Sequence, residues 1–158
     1  AEPLSPGMVT LQSLVAAGRL RGLPARHVTT APRIEGRTPV ERAVLGYLSA
    51  NCGSCHNRES SIASLGLFLK HTLASRGACA TDALATSIGR PGHWAVPDAP
   101  EGTSRVVAPG APARSALLRR AQSRRPSSQM PPIGTVVADR EALALVSAWI
   151  DSLAAMPG

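Results

Sequence analysis

Only four of the 158 residues are aromatic, Tyr47, Phe68, Trp94 and Trp149, although 44% of the chain is hydrophobic. Large rigid side chains supply much of the buried area in an ordinary core. A chain of this length buries roughly two-thirds of its unfolded surface on folding, and here small aliphatic groups must do most of that work. A large apolar guest molecule would fill the middle. Fourteen Gly and fourteen Pro approach the level at which low complexity is suspected. No regular period recurs, which excludes collagen-like and repeat folds. No apolar run is long enough to read as a membrane span, and the length suits one domain.

The charge is lopsided. Sixteen Arg and the single Lys70 face ten acids, giving a formal net charge of +7 and a pI near 10.9. A basic surface favours acidic partners of any kind. With three Cys the chain is not a disulfide scaffold. It opens Ala1-Glu2-Pro3 without a charged n-region or apolar h-region, so no signal peptide is expected within it. A leader already removed and a fragment of a longer protein both fit that beginning.

Along the chain, residues 1–37 read as an N-terminal extension packed on the main body. Leu11 to Gly18 has the makings of two helical turns, followed by an extended stretch. The first clear helix starts at Thr38. Thr38-Pro39-Val40-Glu41 has the form of a capping box with Pro at the first helical position. Val40, Val44, Tyr47 and Leu48 then recur at helical spacing to about Ala50, and Gly46 allows a close helix crossing. Residues 57–108 read mostly as loop. Ser64–Leu69 is a short strand or helical turn, Thr81–Ile88 a short helix beginning near Thr81 or Asp82, and Val106-Val107 an extended piece. Pro112–Arg120 reads as one helix and Ser123–Pro132 as a loop. The last helix starts near Ala138-Asp139, with an acid where the helix dipole favours it. Its Leu143, Val146, Trp149 and Ile150 form a stripe that must be buried.

Cys52-Gly-Ser-Cys55-His56 is C-x-x-C-H, the spacing of c-type haem attachment. Two thiols three residues apart can reach the two vinyl groups of one haem. A His directly after them is held under the iron. Gly53 and Ser54 are small enough for a porphyrin edge to lie against the backbone. Two other chemistries use similar residues. A thioredoxin-type redox pair wants a strand before it and a helix after it, whereas here a helix precedes and a loop follows. A zinc site wants a second ligand pair, and Cys79, His71 and His93 are poorly spaced for one.

For a sixth iron ligand the candidates are Met8, Met130 and Met156. A His/Met pair gives the raised potentials of electron-carrying cytochromes. Met130 stands in Gln129-Met130-Pro131-Pro132, where two prolines stiffen the backbone and reduce the entropy lost in holding one thioether. The alternatives are packing for Met130, with His71, His93 or no side chain on the iron.

A helix, C-x-x-C-H, a long loop, Met130-Pro131-Pro132 and a C-terminal helix together resemble a class I c-type cytochrome. Residues Ala43–His56, Val107–Arg119, Met130–Pro132 and Ala148–Ile150 are similar to cytochrome c-like domains at the C-terminal ends of larger secreted bacterial proteins. The resemblance covers about residues 38–154. It implies a mainly α, cytochrome c-like fold over 38–158, around one covalent haem c held by Cys52 and Cys55. His56 and Met130 would be the metal ligands, with Pro131 and Trp94 beside the haem. The implied localisation is periplasmic or secreted. In that fold residues 38–51 and 139–154 cross, with Gly46 or its neighbours close to Trp149. Two departures stand out. The class has a Gly-Pro segment soon after the His, whose carbonyl receives His Nδ1–H, and Asn57–Gly89 contains no Pro. The separation from His56 to Met130 is long, which implies a loop insertion within 70–105.

Cys79 is left over. Burial, a disulfide-linked dimer and a ligand or reactive thiol are its possible fates. His93 reads as a loop histidine or a ligand, and Trp94 as packing on the haem face or rim. Arg114, Arg119, Arg120, Arg124 and Arg125 crowd a segment without acids. They read as a solvated face, as a patch steering an acidic redox partner, or in one case as a partner for a haem propionate. No aromatics are interleaved among them to stack bases, so nucleic acid is not expected. The expected function is an electron carrier between redox partner proteins, not an enzyme by itself. The alternatives are a haem domain with an open or labile sixth position, peroxidase-like or gas-sensing, and the electron-entry module of a larger oxidoreductase.

Overall fold

The computed structural model describes residues 6–30, 33–71 and 78–155, with backbone alone at 78–81 and at 155. Among the described residues there are six α-helices and no named strand. They are α1 (Leu11–Ala16), α2 (Ala25–Thr29), α3 (Pro39–Asn51), α4 (Ala78–Ser87), α5 (Ala116–Gln122) and α6 (Arg140–Ser152). The mainly helical class is as expected. The chain divides into two compact units, one up to Arg33 and one from Ile34 on.

In the first unit, Thr10 Oγ1 accepts from Ser13 N at 3.0 Å while Ser13 Oγ accepts from Thr10 N at 2.9 Å, a reciprocal cap on α1. Gly18 follows with φ 66°, where a residue without a Cβ is at ease. The stretch beyond it is not simply extended, because Pro24 sets up the short α2. Gln12 Nε2 donates to Val28 O at 3.1 Å and ties the two helices together.

In the second unit, α3 starts as its sequence dictates. Thr38 Oγ1 accepts from Glu41 N at 3.1 Å, and Pro39 occupies the first turn. The reciprocal half of the expected capping box is replaced. The Glu41 carboxylate accepts from Arg37 N at 2.8 Å, from the Arg37 guanidinium, and from Trp149 Nε1 at 3.3 Å. Glu41 is therefore 2% exposed and Val40 is 38% exposed, the reverse of the apolar stripe read from spacing. Burying a carboxylate is tolerable only when its oxygens are matched in this way.

Helix α6 begins where expected. Asp139 accepts from Ala142 N at 3.0 Å, and Ala142, Val146, Trp149 and Ile150 are buried while Leu143 is half-buried. Helix α3 packs on α6, and Val44, Leu45 and Leu48 join Val146, Trp149 and Ile150 in one core with Leu69, Ala83, Val107 and Leu118. Gly46 does not make the close crossing. A Cβ there would meet only Ile34 Cγ1, at 3.9 Å. The intimate contact is Glu41 with Trp149.

Other boundaries moved for identifiable reasons. Helix α4 begins at Ala78 rather than near Thr81. Pro112–Arg120 is not one helix. A 3₁₀ turn, Pro112–Arg114, is separated from α5 by Ser115 in an extended conformation. Ser115 is fully buried, and its Oγ accepts from Ala108 N at 2.9 Å, so the hydroxyl serves the neighbouring loop. Ser64–Leu69 splits into a 3₁₀ turn, Ala63–Leu65, and a stretch of no regular structure after Gly66. The expected extended piece at Val106-Val107 is interrupted: Val107 bridges Ile88 and Arg105 bridges Ser115, while Val106 between them stands at a bend. Gly110 donates to Ile150 O at 2.9 Å, and at φ 68° it leaves no room for a Cβ, which would fall 2.6 Å from Ala154 Cβ.

Candidate functional site

The C-x-x-C-H residues form the turn that ends α3. Cys52 is the C-cap, its N–H donating to Leu48 O at 2.9 Å, and Gly53 N also reaches Leu48 O at 3.1 Å. Cys55 N and His56 N both return to Cys52 O, at 3.2 and 2.9 Å. These bonds bring Cys52, Cys55 and His56 onto one turn. Gly53 is required there, but for a different reason from the one read off the sequence. A Cβ would lie 2.5 Å from Ser49 O and 2.8 Å from Lys70 Cα, so its space belongs to the protein's own backbone.

Asn57 holds the turn closed. It is buried, and its Nδ2 donates to Gly53 O at 2.9 Å and to Ser54 O at 2.8 Å, while Oδ1 accepts from Glu59 N at 2.9 Å. The sequence reading passed over this residue. Its signal was an Asn beside a turn, a type that readily bonds nearby backbone. The segment 67–71 lies along the other side, with Leu69 N donating to His56 O at 2.7 Å and His71 N to Ser49 Oγ at 2.8 Å.

Both thiols are free. Cys55 is exposed. Cys52 is half-buried, and burial, aided by Cys55, pushes its thiol up to about 11. The negative end of the α3 dipole disfavours a thiolate there as well. Thioredoxin-type chemistry needs the opposite, a thiol whose pKa is lowered.

His56 is half-buried. Burial holds its pKa below the ordinary value, the Arg120 charge adds to that, and the Leu67 carbonyl pulls the other way. No hydrogen bond closes at its buried Nδ1, which has no partner. Leu67 is thus the carbonyl nearest the role that a Gly-Pro segment fills in the resembled class.

Arg120 connects the remaining candidates. Its guanidinium carbon stands 5.6 Å from the centre of the Trp94 ring, its Nε donates to Ser128 O at 3.1 Å, and its own carbonyl accepts from Met130 N at 2.9 Å. Met130 and Pro131 are half-buried. Pro131 O accepts from Thr135 Oγ1 at 3.3 Å, and Gln129 Nε2 donates to Pro132 O at 3.1 Å, so the loop is braced by its own polar groups. The arginine cluster is not one solvated face. Arg114, Arg119 and Arg125 are exposed, whereas Arg120 and Arg124 are half-buried. Arg124 donates to Val137 O at 3.2 Å, and its Nε is buried without a partner. Its charge is felt at Tyr47, which also feels Cys52.

His93 is exposed, as is Met8, which belongs to the first unit. Met156 and the Cys79 side chain lie outside the described residues. Among the described residues no group of three His, Cys, Asp or Glu side chains is placed to hold a metal ion, so the zinc alternative finds no ligand set there. No known family, curated protein or solved structure matches the chain.

Proposed function

We propose that this chain is a mono-haem c-type cytochrome carrying single electrons between periplasmic or secreted redox partners. The observation that carries the reading is the turn that closes α3, where Cys55 N and His56 N both return to Cys52 O, at 3.2 and 2.9 Å, and bring two thiols and an imidazole onto one turn. Arg124 Nε is buried without a partner, and buried polar groups without partners are uncommon in native interiors.

In this reading Cys52 and Cys55 would hold the haem by two thioethers, and His56 and Met130 would ligate its iron. Pro131 stiffens the Met130 loop, and Trp94 borders the haem. When bound, the haem supplies a one-electron ferric–ferrous couple. The chain contributes position. Asn57 fixes the turn, and the Leu67 carbonyl is the group that would orient the His56 ring and tune its basicity. The exposed Arg114, Arg119 and Arg125 favour a partner with an acidic docking surface, and such steering is salt-sensitive.

The test is a pyridine haemochrome spectrum combined with the intact mass of protein matured in a cell that makes c-type cytochromes. One covalently added haem per chain is expected. A colourless protein of unmodified mass, with Cys52 and Cys55 both still open to alkylation, overturns the reading.

A further inference from the structure

We propose that residues 6–30 form a basic helical hairpin that binds the surface of an anionic lipid bilayer, with Met8 and Val9 entering the bilayer and Arg19, Arg21 and Arg26 held among its headgroups. The hairpin lies outside residues 38–154, the stretch that the cytochrome resemblance covers, and the inference stands whether or not haem is bound.

Helices α1 and α2 carry apolar side chains without an interior to hold them. Leu11, Leu14, Val15, Leu20, Leu23 and Val28 are each half-buried, and none of residues 6–30 is buried. Met8 and Val9, just ahead of α1, are 58% and 68% exposed. Such a pair gains free energy by leaving water. The charge is one-sided as well. Between Glu2 and Glu35 the chain carries no acid. Arg19, Arg21 and Arg26 are exposed, and among the described residues none of them enters an ion pair.

The backbone of α1 suits a poorly hydrated boundary, where a free N–H or C=O is expensive. Its first turn is closed by the reciprocal bonds between Thr10 and Ser13. At its other end Ser13 O accepts from Ala17 N and Val15 O from Gly18 N, both at 3.0 Å, while Leu14 O accepts from Arg19 N at 2.9 Å and Leu20 N at 3.2 Å. The bond from Gln12 to Val28 O keeps α2 beside it. Among the described residues no helix is long and apolar enough to cross a membrane, so the hairpin lies on the bilayer instead of spanning it.

Charge complementarity calls for an anionic surface, and the side chains favour lipid over an acidic protein. Protein interfaces draw most of their binding energy from a few large anchors packed into pockets, and residues 6–30 contain no Phe, Tyr or Trp. A bilayer asks for no matching shape. It needs apolar side chains that enter and cations that stay at the headgroups, and this hairpin supplies both.

The experiment is cosedimentation of the full chain with vesicles of phosphatidylcholine alone and with vesicles that also contain phosphatidylglycerol. Binding is expected only to the second kind, and it should weaken as salt is raised. Two double variants then remove equal charge. Arg19→Gln with Arg21→Gln should weaken binding about 25-fold, at about fivefold for each basic side chain near such a surface. Arg42→Gln with Arg140→Gln takes two exposed cations from the second unit and should change binding less than about threefold. Met8→Ser with Val9→Ser should weaken it about tenfold or more, through apolar area no longer withdrawn from water. All six positions are exposed, so no variant removes a core side chain. No binding to the anionic vesicles overturns the proposal, and is the result expected if the hairpin meets an acidic protein. Equal weakening by the two arginine pairs overturns it too, since the net charge of the whole chain would then be responsible. Binding unchanged by the serine pair also overturns it, because cations alone would then hold the chain.

Discussion

Trp149 donates its indole N–H to the carboxylate of Glu41 at 3.3 Å, across 108 residues of chain. This bond joins the first and last helices of the second unit at their crossing. Removing the carboxylate leaves the indole N–H buried and unmatched, at a cost of about 2 kcal/mol. Glu41→Ala is therefore expected to lower the urea midpoint substantially at neutral pH, while Val40→Ala, at an exposed position, leaves it nearly unchanged. Equal midpoints for the two variants would contradict the burial pattern.

Glu41 also predicts an acid limb. Burial pushes its carboxyl up, but hydrogen bonds from the Arg37 side chain, the Arg37 main chain and Trp149 outweigh that and hold it below its ordinary value of 4.5. A depressed native pKa means that the unfolded chain takes up the proton first. The contribution is complete above the ordinary value and is lost as pH falls through the native one. Urea midpoints measured at successively lower pH should drop in wild type below about pH 4.5, and Glu41→Gln should flatten that part of the profile.

Thiol chemistry distinguishes the two cysteines. With its pKa raised from 9.0 to about 11, Cys52 carries about 100-fold less thiolate than an unperturbed cysteine at neutral pH. In haem-free protein, alkylation followed by peptide mass mapping should label the exposed Cys55 well before Cys52. Faster labelling of Cys52 would show that its surroundings are wetter than the packing against the core implies.

Asn57→Ala strips one partner from each of the Gly53 and Ser54 carbonyls and should destabilise the protein by about 2 kcal/mol. Gly53→Ala should be worse, because its methyl would collide with backbone on both sides. Thermal unfolding of the two variants checks both. A larger loss for Asn57→Ala would mean that the turn yields at Gly53.

Met130→Ala bears on the proposed axial pair. In the haem-loaded protein it should lower the reduction potential and abolish the weak long-wavelength sulfur-to-iron band. If neither changes, the ligand lies elsewhere, with His71 and His93 next to be replaced.

Helix starts were readable where the chain caps itself. Thr38 and Asp139 both announce a helix by local bonds, and both helices begin there. The inward face of α3 was not readable at Val40 and Glu41, because what buries Glu41 is an indole on α6. The break at Ser115 was hidden for the same reason, since its hydroxyl answers to Ala108. Helix α2 escaped because ARHVT carries no apolar periodicity. At the candidate site, the spacing of Cys52, Cys55 and His56 was plain. Asn57 drew no notice, since its bonds depend on a turn already folded. Among five clustered arginines the sequence did not tell which point inward, because Ser128 and Trp94 come to Arg120 only in three dimensions.

The same indole bond has a consequence for the order of assembly. The turn bearing the thiols is built from bonds spanning residues 48–71, and it can take shape as soon as that stretch exists. Arg37 matches the Glu41 carboxylate locally, but the bond from Trp149 must wait for α6. During synthesis the turn bearing the thiols is therefore local and early, whereas the interior behind it is sealed last, by a contact of high sequence separation.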